Sequence, residues 1–203
     1  MSEEIREGMF NDKLKQDNGV IDQHSVNCNK DKLALIWDGS TGQREQYTFS
    51  DLGILTNRFA NVLKSLGITK GDRICLYIRH LPEAYISFVG VLKTGAVAVP
   101  VPITTKPENL CEILKNSSVK VVVTEPDLRR RMGGIVYELF DLQHIVVVNK
   151  NFLDPFPIDT ADLNYDEEMA KANDVFETVD IEKSDNSFIH YKQQIDGGFT
   201  GVV

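Results

Sequence analysis

The residues best suited to chemistry lie near the end of the sequence, where Gly197–Gly198 and Thr200–Gly201 are separated by one residue. Glycine lets the backbone N–H groups of a turn converge on one point, and the threonine hydroxyl can add a donor, so these residues could form a small anion site. No helix sequence follows to contribute the dipole of its N-terminus. A flexible end of the chain is therefore the more ordinary interpretation.

Two side chains just before these glycines could also do chemistry. Lys192 could contact a displaced phosphate group, although a solvated lysine is commoner, and His190 could act as an acid or a base. A histidine beside an aromatic residue at the end of a strand is more often packed or half-exposed. The other three histidines have no Glu or Cys at metal-ligand spacing, so we assign no metal; they are His24, His80 and His144.

The charge balance excludes some partners. The chain has 22 basic and 30 acidic residues and a net charge of -8, which argues against nucleic acid or an anionic membrane as the main partner. Arg129–Arg131 is a short basic cluster that predicts a solvated helix face rather than a phosphate site.

The cysteines and the apolar runs indicate where such a chain would work. Cys28, Cys75 and Cys111 fit neither a disulfide framework nor a zinc site, and they are compatible with a reducing compartment. We expect Cys75 and Cys111 to be small core residues. The N-terminus has no apolar signal segment and no run reaches the roughly 18 apolar residues of a membrane span, so a cytoplasmic protein is expected.

Between residues 47 and 149 the apolar spacing alternates between helical and strand-like, which predicts an α/β fold with a doubly wound, mainly parallel sheet flanked by helices. Pro100 cannot donate a hydrogen bond and places its strand at an edge, whereas strand 119–124 is apolar on both faces. The predicted order is a helix capped by Ser50 and ended by Gly67, strand 73–78, a helix from Pro82 to Gly95, strand 96–101, a helix from Pro107, strand 119–124, a helix from Pro126 toward Phe140, and strand 144–148.

Several ordered motifs over about 170 residues resemble the AMP-forming acyl-CoA synthetases, which belong to the adenylate-forming group with luciferases and peptide-synthetase adenylation domains. The acetate-type or related short- and medium-chain members are the most similar. The motifs are Tyr47–Leu52, Ala60–Gly67, Lys70–Arg73, Leu81–Ala84 and Val91–Pro102, with weaker matches at Asp22–His24 and Ala34–Trp37.

This resemblance implies a two-step ligase reaction. A carboxylate attacks the α-phosphate of ATP to give an acyl-adenylate and pyrophosphate, and the thiol of CoA then displaces AMP. The family binds the phosphates with Mg²⁺ and with a loop of the type Thr-Ser-Gly-Thr-Thr-Gly-x-Pro-Lys-Gly, which follows a strand. Here Phe188–Tyr191 corresponds to that strand.

The loop itself is degenerate. Gly197, Gly198, Thr200 and Gly201 are the remnant that we assign to the phosphate site, and no catalytic residue or metal ligand is transferred. Against the family's pattern, Lys192 replaces the first Thr, Gln193 replaces Ser, Gln194 replaces Gly, Ile195 and Asp196 replace the hydroxyl pair, Phe199 replaces Pro, and Thr200 replaces Lys. A like charge at ~4 Å and an effective dielectric of ~20 costs on the order of 4 kcal/mol, so Asp196 and the lost lysine predict poor triphosphate binding.

These features predict an incomplete N-terminal subdomain, a truncated form or pseudoenzyme that is inactive alone. We expect no cofactor for this chain, although the parent family uses ATP, Mg²⁺ and CoA. A non-catalytic interaction module that binds a full-length synthetase or another subunit is the alternative, and an active half-enzyme completed by a second polypeptide is a third. An exposed apolar interface would favour self-association or binding to a full-length relative.

The predicted division of the chain has four parts. Residues 1–30 form a helical lead-in and loop, and residues 31–150 form the α/β subdomain, with 33–37 as a separate strand. Residues 151–186 form an acidic excursion that is a solvated surface loop rather than a docking tail, with a short helix near 167–172. Residues 187–203 form a strand and the degenerate phosphate loop.

Overall fold

The centre of the molecule is a parallel five-stranded sheet. The computed structural model describes residues 18–39, 42–150, 159–193 and 199–203. The strands of this sheet are β3 (Arg73–Tyr77), β4 (Val97–Pro100), β5 (Val119–Thr124), β6 (His144–Val147) and β7 (Leu163–Asn164), and they lie side by side in the order β4-β3-β5-β6-β7. The helices of this layer are α2 (Phe49–Ser65), α3 (Pro82–Lys93), α4 (Pro107–Asn116), α5 (Pro126–Arg131) and α6 (Tyr165–Lys171).

Helices cover both faces of this sheet, because successive residues of its strands point to opposite sides. In β5, Val121 and Val123 pack with α2, α3 and α6, whereas Val122 packs with α4 and α5. All three valines are completely buried. The doubly wound α/β layer is confirmed, and so are Cys75 and Cys111 as core residues.

Proline and glycine place most of the helix boundaries where the sequence predicts them. Pro82, Pro107 and Pro126 each occupy the first turn of a helix, where a missing N–H costs nothing. Gly67 and Gly95 follow α2 and α3 with positive φ angles of 78° and 70°, which glycine adopts without strain. β4 is the edge strand that Pro100 predicts.

The predicted cap at Ser50 is wrong by two residues. α2 begins at Phe49, and its cap is Thr48, whose hydroxyl accepts from the N–H of Asp51 at 3.1 Å. The Asp51 carboxylate accepts in return from the N–H of Thr48 at 2.9 Å. This reciprocal pair satisfies two donors that the first turn of a helix leaves free.

The helix predicted from Pro126 toward Phe140 is shorter than expected. It ends at Arg131, before Gly133 and Gly134, and a short 3₁₀ turn at Val136–Glu138 follows. Phe140 is 96% exposed. Two adjacent glycines make the helix costly to continue.

Before the main sheet lie α1 (Asn18–Ser25) and an antiparallel hairpin of β1 (Leu33–Asp38) and β2 (Arg44–Thr48). The separate strand predicted at 33–37 is confirmed, but β2 was not predicted. Residues 1–17 of the predicted helical lead-in lie outside the described residues.

The segment after residue 158 is more ordered than a solvated loop. It contributes β7 to the sheet and the predicted short helix as α6, from which Tyr165 and Met169 enter the core. The main sheet therefore extends past residue 150. The chain ends in a second hairpin, formed by β8 (His190–Gln193) and β9 (Phe199–Val202).

The basic cluster 129–131 is not a uniformly solvated face. Arg129 is 4% exposed and forms an ion pair with Asp162 at 2.9 Å, and this pair fastens the segment containing β7 to α5. Arg131 is exposed and donates to the carbonyl oxygens of Ile103 and Thr105. No helix among the described residues is both long and apolar enough to cross a membrane.

Candidate functional site

The strand order identifies one end of the sheet as the place for a site. The chain passes from β3 to β4 on one side and then crosses back to β5 on the other, so the connections diverge between β3 and β5. In parallel α/β sheets, ligands bind beyond the carboxyl ends of the strands at this switch point. The residues that follow β3 and β5 here are Arg79, Glu125 and Asp127.

A network of charges fills the switch point. The guanidinium of Arg79 donates to Glu125 at 2.8 Å and pairs with both oxygens of Asp127, and its backbone N–H also donates to Glu125 at 2.8 Å. The Arg79 guanidinium holds the pKa of Asp127 below its usual value, and the Asp127 carboxylate raises the pKa of Arg79. Arg79 is therefore neutralised by two carboxylates and does not present a free cation.

Beside this network lies an open apolar groove of about 750 Å³. Its walls come from the carboxyl ends of β3 and β4, from the segment after β4, and from the exposed side of α3. Ile78, Tyr85, Phe88 and Ile103 supply much of the surface, and Tyr85 is 48% exposed. The groove's other polar lining residues are Arg79, His80, Thr104 and His190.

The β8–β9 hairpin brings the predicted loop residues near this groove. His190 begins β8 and lines the groove, as an exposed rather than a buried histidine. Lys192 lies two residues along and is also exposed, and its backbone pairs with that of Thr200 in the antiparallel register. Since side chains alternate along a strand, Lys192 is on the same face as His190.

The remnant of the phosphate site is only partly described. Thr200 and Gly201 lie within the paired strand β9, and Gly197 and Gly198 lie outside the described residues. A Cβ atom at Gly201 would lie 2.9 Å from Ile189, so close packing within the hairpin gives one structural reason for a glycine there. The assignment of these four residues to a phosphate site stays a prediction.

The opposite face of β8 is anchored to α4 through Tyr191. The hydroxyl of Tyr191 donates to the side chain of Asn116 at 2.6 Å.

Within the described part of the chain, no group of three His, Cys, Asp or Glu residues is placed to hold a metal ion. The groove and the Arg79 network were not predicted, and the only sequence signal for them was their position directly after β3 and β5.

Comparison with known proteins places this arrangement in a family. The family described as AMP-binding enzyme matches residues 22–191. Acetyl-coenzyme A synthetase of Bacillus subtilis (strain 168) is 32% identical over 185 residues, which cover 91% of this chain and 31% of that protein. Crotonobetaine/carnitine–CoA ligase of Salmonella paratyphi A is 39% identical over 94 residues, 46% of this chain and 18% of that protein.

Solved structures agree on the fold. A crystal structure of an anthranilate CoA ligase in complex with anthranoyl-AMP superposes with a TM-score of 0.81 at 23% identity, over 91% of this chain and 33% of that one. An acyl-CoA synthetase of Brucella canis gives a TM-score of 0.79 at 20% identity, over 91% of this chain and 32% of that one. The chain thus spans about a third of the length of the curated Bacillus relative. Because the family match covers most of the sequence and agrees with the fold, this chain belongs to the AMP-binding enzyme family.

Proposed function

We propose that this chain forms the first α/β layer of an AMP-forming acyl-CoA synthetase for a short or medium carboxylate, and that these residues alone do not activate the acid. The similar proteins include CoA ligases such as acetyl-coenzyme A synthetase and 3-hydroxypropionyl-coenzyme A synthetase. In the whole enzyme the reaction joins a carboxylate to CoA through an acyl-adenylate. A cytoplasmic location is part of the same proposal.

The proposal depends on the β8–β9 hairpin, whose residues the resemblance aligns with the phosphate loop of the family. Thr200 has no positive charge where the family pattern has lysine, and its backbone lies in a paired strand. Asp196 adds a negative charge to the same loop in the sequence. One like charge at ~4 Å disfavours a triphosphate by on the order of 4 kcal/mol, and the lost lysine adds to that cost. The described residues of the hairpin do not fit a triphosphate, and we assign no chemical step to them.

One side chain works against this conclusion. Lys192 is paired across the hairpin with Thr200, the position at which the family pattern has lysine. Because directly paired residues project from the same face of a hairpin, the side chain of Lys192 lies on the face where that lysine would lie. It is exposed, and a solvated ammonium contributes less to anion binding than one held in a closed loop. If the chain retains affinity for phosphate, Lys192 is the cation that would provide it.

Calorimetric titration with ATP and Mg²⁺ tests the proposal. We expect no saturable binding in the micromolar range by the wild-type chain, and no change in Lys192→Met. The double variant Asp196→Asn with Thr200→Lys restores the charge of the family pattern, so it should bind more tightly than wild type. Magnesium-dependent micromolar binding by the wild-type chain that Lys192→Met abolishes would overturn the proposal.

The open groove favours the interaction module as a second candidate function. Tyr85 lines the groove and is 48% exposed, and an aromatic side chain exposed on an apolar surface is typical of an interaction site. An interaction module would self-associate or bind a full-length synthetase through this surface without binding ATP. Analytical ultracentrifugation of the wild-type chain and of Tyr85→Asp tests self-association. If the chain is an interaction module that self-associates, Tyr85→Asp should shift it toward monomer. A wild-type chain that is monomeric at all concentrations excludes self-association.

A further inference from the structure

Residues 173–186 form a segment, here called the strap, that crosses α2 and α3 outside any helix or strand and leads to the β8–β9 hairpin. Most of its side chains are exposed, and Val175 is 74% exposed. Its other apolar side chains, Phe176, Val179 and Ile181, are only half-buried, so apolar burial alone does not fix its path. An irregular segment of this length keeps one path only if other groups satisfy its backbone.

Two asparagines of α2 hold the beginning of the strap. The side-chain N–H₂ of Asn57 donates to the carbonyl oxygen of Asp174 at 2.9 Å. Asn61, one helical turn later, donates to the carbonyl oxygens of Asn173 and Val175 at 2.8 and 2.9 Å. These bonds recognise the backbone of the strap and not its side chains.

Lys93, at the end of α3, connects these contacts to the N-terminal helix. Its ammonium group is completely buried and donates to Asp22 of α1 and to the Oδ1 of Asn57, both at 2.6 Å. Because Asn57 accepts from Lys93 through its oxygen, its N–H₂ group is left to face the strap. Asp22 also accepts from the hydroxyl of Thr178 at 3.3 Å, and the carbonyl of Lys93 accepts from the N–H of Val179 at 2.9 Å.

Lys70 holds the second half of the strap. It donates to the carbonyl of Asp180 at 3.2 Å and pairs with the carboxylate of Asp185 at 2.6 Å. Directly afterwards the chain joins the free edge of β4, where the N–H of Ala98 donates to the carbonyl of Ser187 at 2.9 Å and the carbonyl of Ala98 accepts from Ile189 at 2.8 Å. The strap therefore leads directly into the residues that pair with the edge of the sheet, and from there into the hairpin beside the groove.

We propose that Asn57, Asn61, Lys70 and Lys93 are positioning residues that clamp the strap, so that the strap and residues 187–189 on the edge of β4 open together as one unit. Opening leaves the five-stranded sheet folded, because its core valines do not depend on the strap, and the β8–β9 hairpin keeps its own anchor at Tyr191. The chain of contacts from Asp22 through Lys93 to Asn57 makes the docking of the N-terminal helix and the position of the strap depend on each other. This inference does not depend on nucleotide binding.

Isosteric substitutions test the clamp. Asn57→Asp still offers an oxygen to Lys93 but has no N–H₂ group for Asp174, and Asn61→Asp places a carboxylate against two carbonyl oxygens. Each lost hydrogen bond is worth about 1 kcal/mol, and 1.4 kcal/mol is a factor of ten. In the double variant we expect amide hydrogen exchange to become about tenfold faster or more in residues 173–189 and at Ala98, and to stay unchanged in β5.

Lys64→Ala is the matched control, since Lys64 is exposed on the same helix, and it should leave exchange in the strap unchanged. Lys70 lies in a surface turn, so Lys70→Met is a second test. We expect it to make amide exchange faster only in residues 180–189. The proposal is overturned if amide exchange in the strap is unchanged both in the Asn57→Asp, Asn61→Asp double variant and in Lys70→Met. An equal increase in β5 overturns it too, because the strap would then open only with the whole domain.

Discussion

The central sheet and the segments that flank it are held in different ways. The strands β3, β5 and β6 are buried by apolar side chains on both faces, and Val121, Val122 and Val123 are completely covered. The flanking segments, residues 18–39 and 159–193, are joined to the sheet by hydrogen bonds and buried charges as well. Apolar burial is not directional, whereas a buried charge needs one partner in one place. We therefore expect the sheet to tolerate exchange of one apolar side chain for another of similar volume, and the attachments to be sensitive to the loss of a single charged partner.

The largest expected effect is at the attachment of the segment containing β7. Asp162→Ala leaves the guanidinium of Arg129, whose side chain is 5% exposed, without its nearest partner. Removing one member of a buried ion pair costs roughly 3–5 kcal/mol, and we expect about 3 kcal/mol because Asp159 lies 3.8 Å from Arg129 and can partly replace the lost charge. Urea denaturation followed by circular dichroism measures the loss.

Asp166→Ala is the control for this variant, because Asp166 is exposed on α6 only four residues later. It should change the free energy of unfolding by no more than about 0.5 kcal/mol. If Asp162→Ala costs no more than Asp166→Ala, charge pairing does not hold this segment, and the contrast between sheet and attachment fails.

The same contrast explains what the sequence could predict of the fold. The strands at 73–77, 119–124 and 144–147 agree with prediction to within one residue, because runs of buried valine and isoleucine make their own signal. β7 is only two residues long, and its place in the sheet depends on the Arg129 pair and on the burial of Tyr165. No local pattern in an acidic stretch carries that information.

The site was predictable only in part. The resemblance predicts a strand at 188–191 with a degenerate loop after it, because motif order does not require knowledge of the fold. β8 begins two residues later, at His190, and its pairing with β9 was not predicted. The groove and the neutralised Arg79 were missed, since both depend on β4 and β5 being the two neighbours of β3. A sequence shows which residues follow each strand, but the pairing of strands is a property of the whole sheet.

The start of α2 gives a smaller and local test. Thr48→Ala removes the hydroxyl that accepts from Asp51, and loss of such a cap costs about 1 kcal/mol. Ser50→Ala, at the position that the sequence predicted as the cap, should cost much less. Thermal or urea denaturation of both variants decides between them: equal losses, or a larger one at Ser50, would show that the reciprocal pair of Thr48 and Asp51 does not start the helix.

The smallest expected effect is at the switch point, where the pairing of Arg79 with Asp127 is half-exposed. The Arg79 guanidinium holds the pKa of Asp127 below its usual value of 3.8, so this carboxylate stabilises the fold above the pKa of the unfolded chain and ceases to do so as the pH falls through the lower pKa of the folded state. Exposed pairs contribute no more than about 1 kcal/mol. Asp127→Asn should therefore be slightly less stable than wild type at about pH 6, and the difference should shrink as the pH falls below 3.8 and vanish once the carboxylate of the folded state is protonated, as measured by urea midpoints. A difference that stays constant with pH would mean that Asp127 acts through packing rather than through its charge, and the switch point would then resemble the apolar sheet more than the charged attachments.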